Sequence, residues 1–257
     1  GRRMTGFITS YVGMFDGGSA PSKIARVQIP LIQRDYAQGR IDTKTERIRR
    51  DFLATLHDAL AGDEPLGLDF VYGDLRADGT FKPLDGQQRL TTLFLLHWYL
   101  ACRTGKLAEA PAWGNFTYAT RESARVFCER IVESPPPADV LDPAAWIQDQ
   151  PWYRFQWRHD PTIQSMLKMI ASIDERFADL DPEVTWMKLT HPHQPAIYFH
   201  VLPVDEMGAG DELYIKMNSR GKPLTDFETF KARFEKWIDG PNRETEFAKN
   251  VDGKWAD

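Results

Sequence analysis

The sequence predicts an α+β fold, with a small α/β core over residues 1–110 and a larger, mainly helical subdomain over residues 111–257. Three observations predict it. Apolar residues alternate with polar ones before residue 85, a strand signature, and the stretch that follows is apolar nearly all round, as a buried helix is. Beyond residue 110 the composition shifts toward Trp, Tyr and Pro, which marks a change in organisation.

An amphipathic helix is expected to open the chain over residues 5–15, and the loop Gly17-Gly18-Ser19-Ala20-Pro21 follows it. Val27, Ile29 and Leu31 then alternate as in a strand, with Pro30 expected at a sheet edge or at the strand's end. From Thr43 the pattern turns helical: Thr43 and Glu46 have capping-box spacing, and Ile48, Phe52, Leu56 and Ala59 recur on one face. Two strands are predicted around Phe70-Val71-Tyr72 and Phe81-Lys82-Pro83-Leu84, joined by the tight-turn pair Asp78-Gly79. The second leads through Asp85-Gly86 into the buried helix over residues 88–100.

In the downstream half, helices are predicted over residues 121–132 and 162–177, and a strand over 196–204. A short helix over 211–218 stops at Ser219-Arg220-Gly221-Lys222-Pro223, and Thr225 with Glu228 caps a last helix over 226–238.

Charge narrows the function classes. The formal net charge is −5, whereas a chain that grips DNA chiefly by neutralising phosphates is usually basic. Nucleic-acid contact is therefore expected from a local patch, for which Arg47, Arg49 and Arg50 are candidates. The longest apolar run, around residues 93–100, is too short to cross a bilayer and contains His97. No signal peptide follows the basic start, which points to the cytoplasm. Cys102 and Cys128 have no ligand or redox spacing and read as buried apolar residues.

Chemistry concentrates at Asp85-Gly86-Gln87-Gln88-Arg89, where a strand feeds a helix. Bare N–H groups at a helix start, together with its dipole, favour an anion. Gly86 lets backbone approach a phosphate, and Arg89 offers two parallel hydrogen bonds to its oxygens. Asp85 is the candidate ligand for Mg²⁺, and Gln87 or Gln88 can orient a water. A structural reading stands beside this one, because Asp85 with Gln88 three residues on also has the spacing of a helix cap and its reciprocal partner.

Two further clusters carry polar groups: Gln33-Arg34-Asp35-Tyr36 after the first predicted strand, and Asn218-Ser219-Arg220-Gly221 with Glu228 and Lys231. Each has a structural alternative, an exposed turn for the first and helix-end contacts for the second. His191 and His193 read as a surface loop, His97 as a satisfied core histidine, and the run from Trp152 to Trp157 as either a stacking platform or core packing. No Walker-type phosphate loop, zinc-protease motif or nucleophile elbow is present.

Taken in order, the stretches from Ile29 to Tyr36, Leu84 to Leu93 and Asn218 to Lys231 resemble the GmrS-like DGQQR-motif family of type IV and related phage-defence restriction proteins. The resemblance implies a core like that of ParB and sulfiredoxin, hydrolysis of a nucleoside triphosphate (GTP or ATP) with Mg²⁺, and sensing of modified DNA. It also implies a separate HNH nuclease domain or subunit. It assigns Asp85, Gln87, Gln88 and Arg89 to hydrolysis, Gln33, Arg34, Gly86, Asn218, Arg220 and Lys231 to the nucleotide, and Tyr36, Arg47 and Arg50 to DNA. Ala37-Gln38 stands where many members carry an aromatic residue, and the end of the sequence is expected to lie inside a longer protein. A non-catalytic DNA-sensing module and a ParB-like nuclease are the alternatives.

Overall fold

A mixed sheet organises the protein. The computed structural model describes residues 6–15, 24–30 and 43–204. Its strands are β1 (Phe7–Thr9), β2 (Arg26–Ile29), β3 (Leu66–Gly67), β4 (Val71–Leu75), β5 (Thr80–Asp85), β6 (Phe116–Tyr118) and β7 (Ile197–Val204). They lie in the order β1-β7-β4-β5-β2-β6, with β3 beside β7. β1 is antiparallel to β7 and β4 to β5, while β7 with β4, β5 with β2 and β2 with β6 are parallel. The α+β class is thus as the sequence predicts. β6 and β7, both downstream of residue 110, complete the sheet formed by the upstream strands.

The hairpin of β4 and β5 turns on Gly79, whose φ of +86° suits a residue without a side chain. Asp78 accepts a hydrogen bond from the Thr80 N–H at 2.9 Å and fixes the turn. Pro30 follows directly on the last residue of β2, which pairs on both sides, so the proline marks the strand's end. The described residues 6–15 fold as β1 and a 3-10 turn over Val12–Met14 rather than as the expected helix, because Phe7–Thr9 find ladder partners on β7.

Six helices are described: α1 (Thr43–Ala61), α2 (Gln87–Thr104), α3 (Glu122–Glu133), α4 (Pro143–Gln148), α5 (Pro161–Phe177) and α6 (Pro182–Thr190). α4, α5 and α6 each begin with Pro after an aspartate, Asp142, Asp160 or Asp181, whose side chain accepts the bare N–H groups of the first turn. α2 buries every residue from Thr92 to Cys102 and packs against α5 and α6. That is the all-round burial its composition predicts, and Trp98 anchors it by donating to the Ile131 carbonyl at 2.7 Å. α1 buries Leu53, Leu56, Ala59 and Leu60, but Ile48 is 61% exposed. The first turns of α1 stand away from the core across a cavity, so the predicted apolar face is buried only in its second half. The helices predicted over 211–218 and 226–238 lie outside the described residues.

Cys102 and Cys128 are buried free thiols, as expected. His97 is fully buried between Tyr11, Trp113 and Trp186, with ring centroids 4.6, 5.9 and 6.1 Å away. Its Nδ1 donates to the Leu93 carbonyl at 2.6 Å, while Nε2 is buried without a hydrogen-bond partner, so the histidine is only half satisfied. Burial pushes its pKa down from 6.5 to about 4, and that of buried His200 to about 3. The unfolded chain therefore takes up protons from about pH 6.5 downward that the folded chain refuses until about pH 4. Stability is full above that window and falls as pH drops through it. Replacing His97 with Gln, which keeps a donor for Leu93, is expected to flatten this fall by up to about 1.4 kcal/mol per pH unit. Urea midpoints across the window measure it, and an unchanged slope would count against a neutral buried His97.

Candidate functional site

The site is built where β5 hands the chain to α2. Tyr72 of β4 pairs with Asp85, but the next residue, Gly73, pairs with Pro83, so Leu84 is an extra residue on β5. This bulge leaves Leu84 40% exposed and re-aims Asp85 at the head of α2. Gly86 then takes the left-handed conformation, with φ +84° and ψ +13°, as the residue before the helix. A Cβ here would meet Val71 Cγ2 at 2.9 Å and Arg89 Nη2 at 3.4 Å. Glycine is thus required by both backbone and space.

Gly86 occupies the capping position, and no side chain caps from it. The Asp85 carboxylate lies 3.3 Å from Nη2 of Arg89. Asp69, just before β4, lies 3.6 Å from Nη1. Nη1 is buried and makes no hydrogen bond, so one strong donor at the helix start has capacity left. The two glutamines part company. The Gln87 amide donates to the Pro83 carbonyl at 2.7 Å and ties the helix start back to β5, whereas exposed Gln88 lines a cavity.

That cavity has a volume of about 330 Å³ and lies between α1, the first turns of α2 and α5, and the end of β6. Phe52, Leu95, Tyr118, Met166 and Met169 form apolar walls, while Gln88, Thr45, Thr162 and Ser165 supply hydroxyl and amide groups. Among the described residues, Arg49 and Arg89 are its charged lining residues and no carboxylate lines it. Burial pulls the Arg49 pKa below the usual guanidinium value, partly offset by Glu46. α5 reaches the cavity already capped, since Asp160 accepts from the Thr162 and Ile163 N–H groups at 2.9 and 3.1 Å. Arg121 lies 3.7 Å from the same carboxylate and donates to Thr162 Oγ1 at 3.0 Å.

Residues 18–235 match the family described as "GmrSD restriction endonuclease, N-terminal domain". The chain belongs to this family. It is therefore a domain of a GmrSD-type restriction system, of the kind used in phage defence. No curated protein matches it. The GmrSD match spans all three motif clusters, but only the central one falls among the described residues; Gln33, Arg34, Tyr36, Asn218, Arg220 and Lys231 lie outside them. In this GmrSD domain the structure brings Gln88, Arg89 and Arg49 to one cavity and sets Asp85 and Asp69 beside Arg89. Arg47 and Arg50 are exposed and do not line it. Among the described residues no three His, Cys, Asp or Glu side chains gather to hold a metal, and no helix is long and apolar enough to cross a membrane.

Sequence reasoning missed Asp69 and placed Arg49 only in a patch for nucleic acid. Thr45, Ile48, Arg49 and Phe52 share the i, i+3, i+4, i+7 face of α1, so helical spacing marks Arg49 rather than Arg47 or Arg50 as the inward cation. Counting back from the Asp78-Gly79 turn sets the start of β4 opposite Asp85, and Asp69 lies just before that strand, which is the signal for Asp69.

Proposed function

We propose that this domain binds and hydrolyses a nucleoside triphosphate, GTP or ATP, and thereby couples the sensing of modified DNA to an HNH nuclease domain or subunit. One observation carries the reading: a cavity lined, among the described residues, by two guanidiniums and no carboxylate, opening at the start of a helix whose glycine has no room for a side chain. Its size falls at the lower end of small-molecule sites, about 300–1,000 Å³, and its apolar walls suit a base while its cationic side suits phosphates.

The residues divide the work as follows. Arg89 uses its spare Nη1 donor on a phosphate oxygen and stabilises charge as it grows on the terminal phosphoryl group. Arg49 adds positive charge from the opposite wall. Gln88 orients a water, whose oxygen bonds to the terminal phosphorus as the bridging P–O bond breaks; its proton leaves with the inorganic phosphate. Mg²⁺ is commonly held by one or two carboxylates together with substrate phosphates; Asp85 and Asp69, which flank Arg89 outside the cavity lining, are the carboxylates that would hold it. When bound, it would neutralise phosphate charge.

Phosphate release from GTP and from ATP, with Mg²⁺ and with EDTA, tests the reading. Turnover that depends on Mg²⁺ is expected, and its absence with every nucleoside triphosphate would overturn hydrolysis. The exposed Arg47 and Arg50 favour a second reading, a non-catalytic DNA module. That module would bind DNA with a steep salt dependence and release no phosphate.

A further inference from the structure

The 3-10 turn over Phe155–His159 directly precedes Pro161, the first residue of α5 and part of the cavity wall. The turn has two sides. Trp157 points inward, 2% exposed, with Phe127, Trp152 and Tyr153 packed around it at centroid distances of 5.8, 6.5 and 5.4 Å. Its carbonyl accepts from the Gln164 amide at 2.9 Å, which pins the turn to α5. Phe155 points outward and is 68% exposed.

The charges around Phe155 are one-sided. The Arg158 guanidinium lies 4.9 Å from the Phe155 ring centroid, and that of Arg154 lies 5.8 Å from the Trp157 ring. Arg154, Arg158 and His159 are all exposed. Among the described residues neither arginine forms an ion pair. The nearest carboxylate in sequence, Asp160, is taken up by the first turn of α5, Ser123 and Arg121. A chain of net charge −5 thus presents two uncompensated guanidiniums beside a bare aromatic ring. Each alone is ordinary at a surface. Together they are the components of a nucleic-acid contact: a ring on which an unpaired base stacks, and cations that follow the phosphates.

We infer that Arg154, Phe155 and Arg158 form a surface that holds a single-stranded stretch of polynucleotide at the approach to α5. The inference deepens the DNA-sensing part of the proposed function by naming where a strand sits; it does not depend on phosphate hydrolysis. A flat acidic peptide would satisfy the arginines but not the ring, and a closed duplex offers no free base face to it.

Binding of a fluorescent oligothymidylate strand, its duplex with oligodeoxyadenylate, and oligouridylate, measured by anisotropy over a salt series, tests this. The intact chain is expected to bind a single strand, of either sugar, more tightly than the duplex. F155A is expected to weaken single-strand binding about tenfold, within the range for loss of one stacked base. Replacing both arginines, R154Q with R158Q, is expected to lower the salt slope by about 1.4, at about 0.7 per phosphate contact. Thermal unfolding of both variants should match the intact chain, because the altered side chains are exposed. Strand binding unchanged in both variants would overturn this surface while leaving DNA sensing to stand on another. Binding of none of the three probes would overturn both. Preference for the duplex would overturn the stacking role.

Discussion

Changing Arg89 to alanine is expected to lower Mg²⁺-dependent phosphate release by about 10²- to 10³-fold, the loss typical of removing one preorganised donor to transition-state charge. The side chain is placed for this role by three constraints at once. It sits one turn into α2, Asp85 and Asp69 hold it from one side, and its buried Nη1 has no hydrogen bond. Lysine in its place keeps the charge but loses the planar fork, so it is expected to recover only part of the rate. The fold should tolerate both changes, because the carboxylates left behind are 32% and 54% exposed and water can solvate them. The measurement is initial phosphate release at saturating nucleotide, with urea unfolding as the control. Turnover in R89A equal to that of the intact chain would remove Arg89 from the chemistry.

The largest effect on stability is expected at Gly86. Substituting valine puts a β-branched residue at φ +84°, which costs about 1–3 kcal/mol in backbone strain alone. The new Cβ would also meet Val71 Cγ2 at 2.9 Å, and forcing extra carbon into a filled space costs about 1–3 kcal/mol more. The sum, about 2–6 kcal/mol, is a large part of the stability of an ordinary domain. A midpoint in urea shifted by less than about 1 kcal/mol would mean that the turn rearranges at little cost. Alanine at the same place carries the positive φ and the same Cβ contact, so the pair of variants measures what the two valine methyl groups add.

Much of the architecture could be read from the sequence because its causes are local. A tight Asp-Gly turn, an all-apolar segment after Gly86 and a period-two run near residue 200 each specify an element without reference to the rest of the chain. β3 and β6 were not legible for the opposite reason. They have only two and three residues and become strands because β7 and β2 offer hydrogen bonds to them. Ile48 misled because periodicity reports which side of a helix is apolar, not whether a neighbour covers it; here a cavity lies alongside. At the site, the Asp85–Arg89 relation was implicit in the i, i+4 spacing, whereas the capping position itself falls to Gly86, which has no side chain to cap with. Asp69 and Arg49 carry no motif. Only strand register and helical phase bring them in, and both are relations between distant segments. The Trp152 to Trp157 run resolves residue by residue, with Trp157 in the core and Phe155 facing water.

The position of β7 has a consequence for how the protein is made. This strand, the last among the described residues, lies between β1 and β4, two of the earliest, and also takes β3 alongside. Until residues 197–204 emerge from the ribosome, β1 has no ladder to join and one border of the β4–β5 hairpin stays unsatisfied. Nearly the whole length described must therefore be synthesised before the sheet can close, so the β4–β5 hairpin keeps an open border for most of translation.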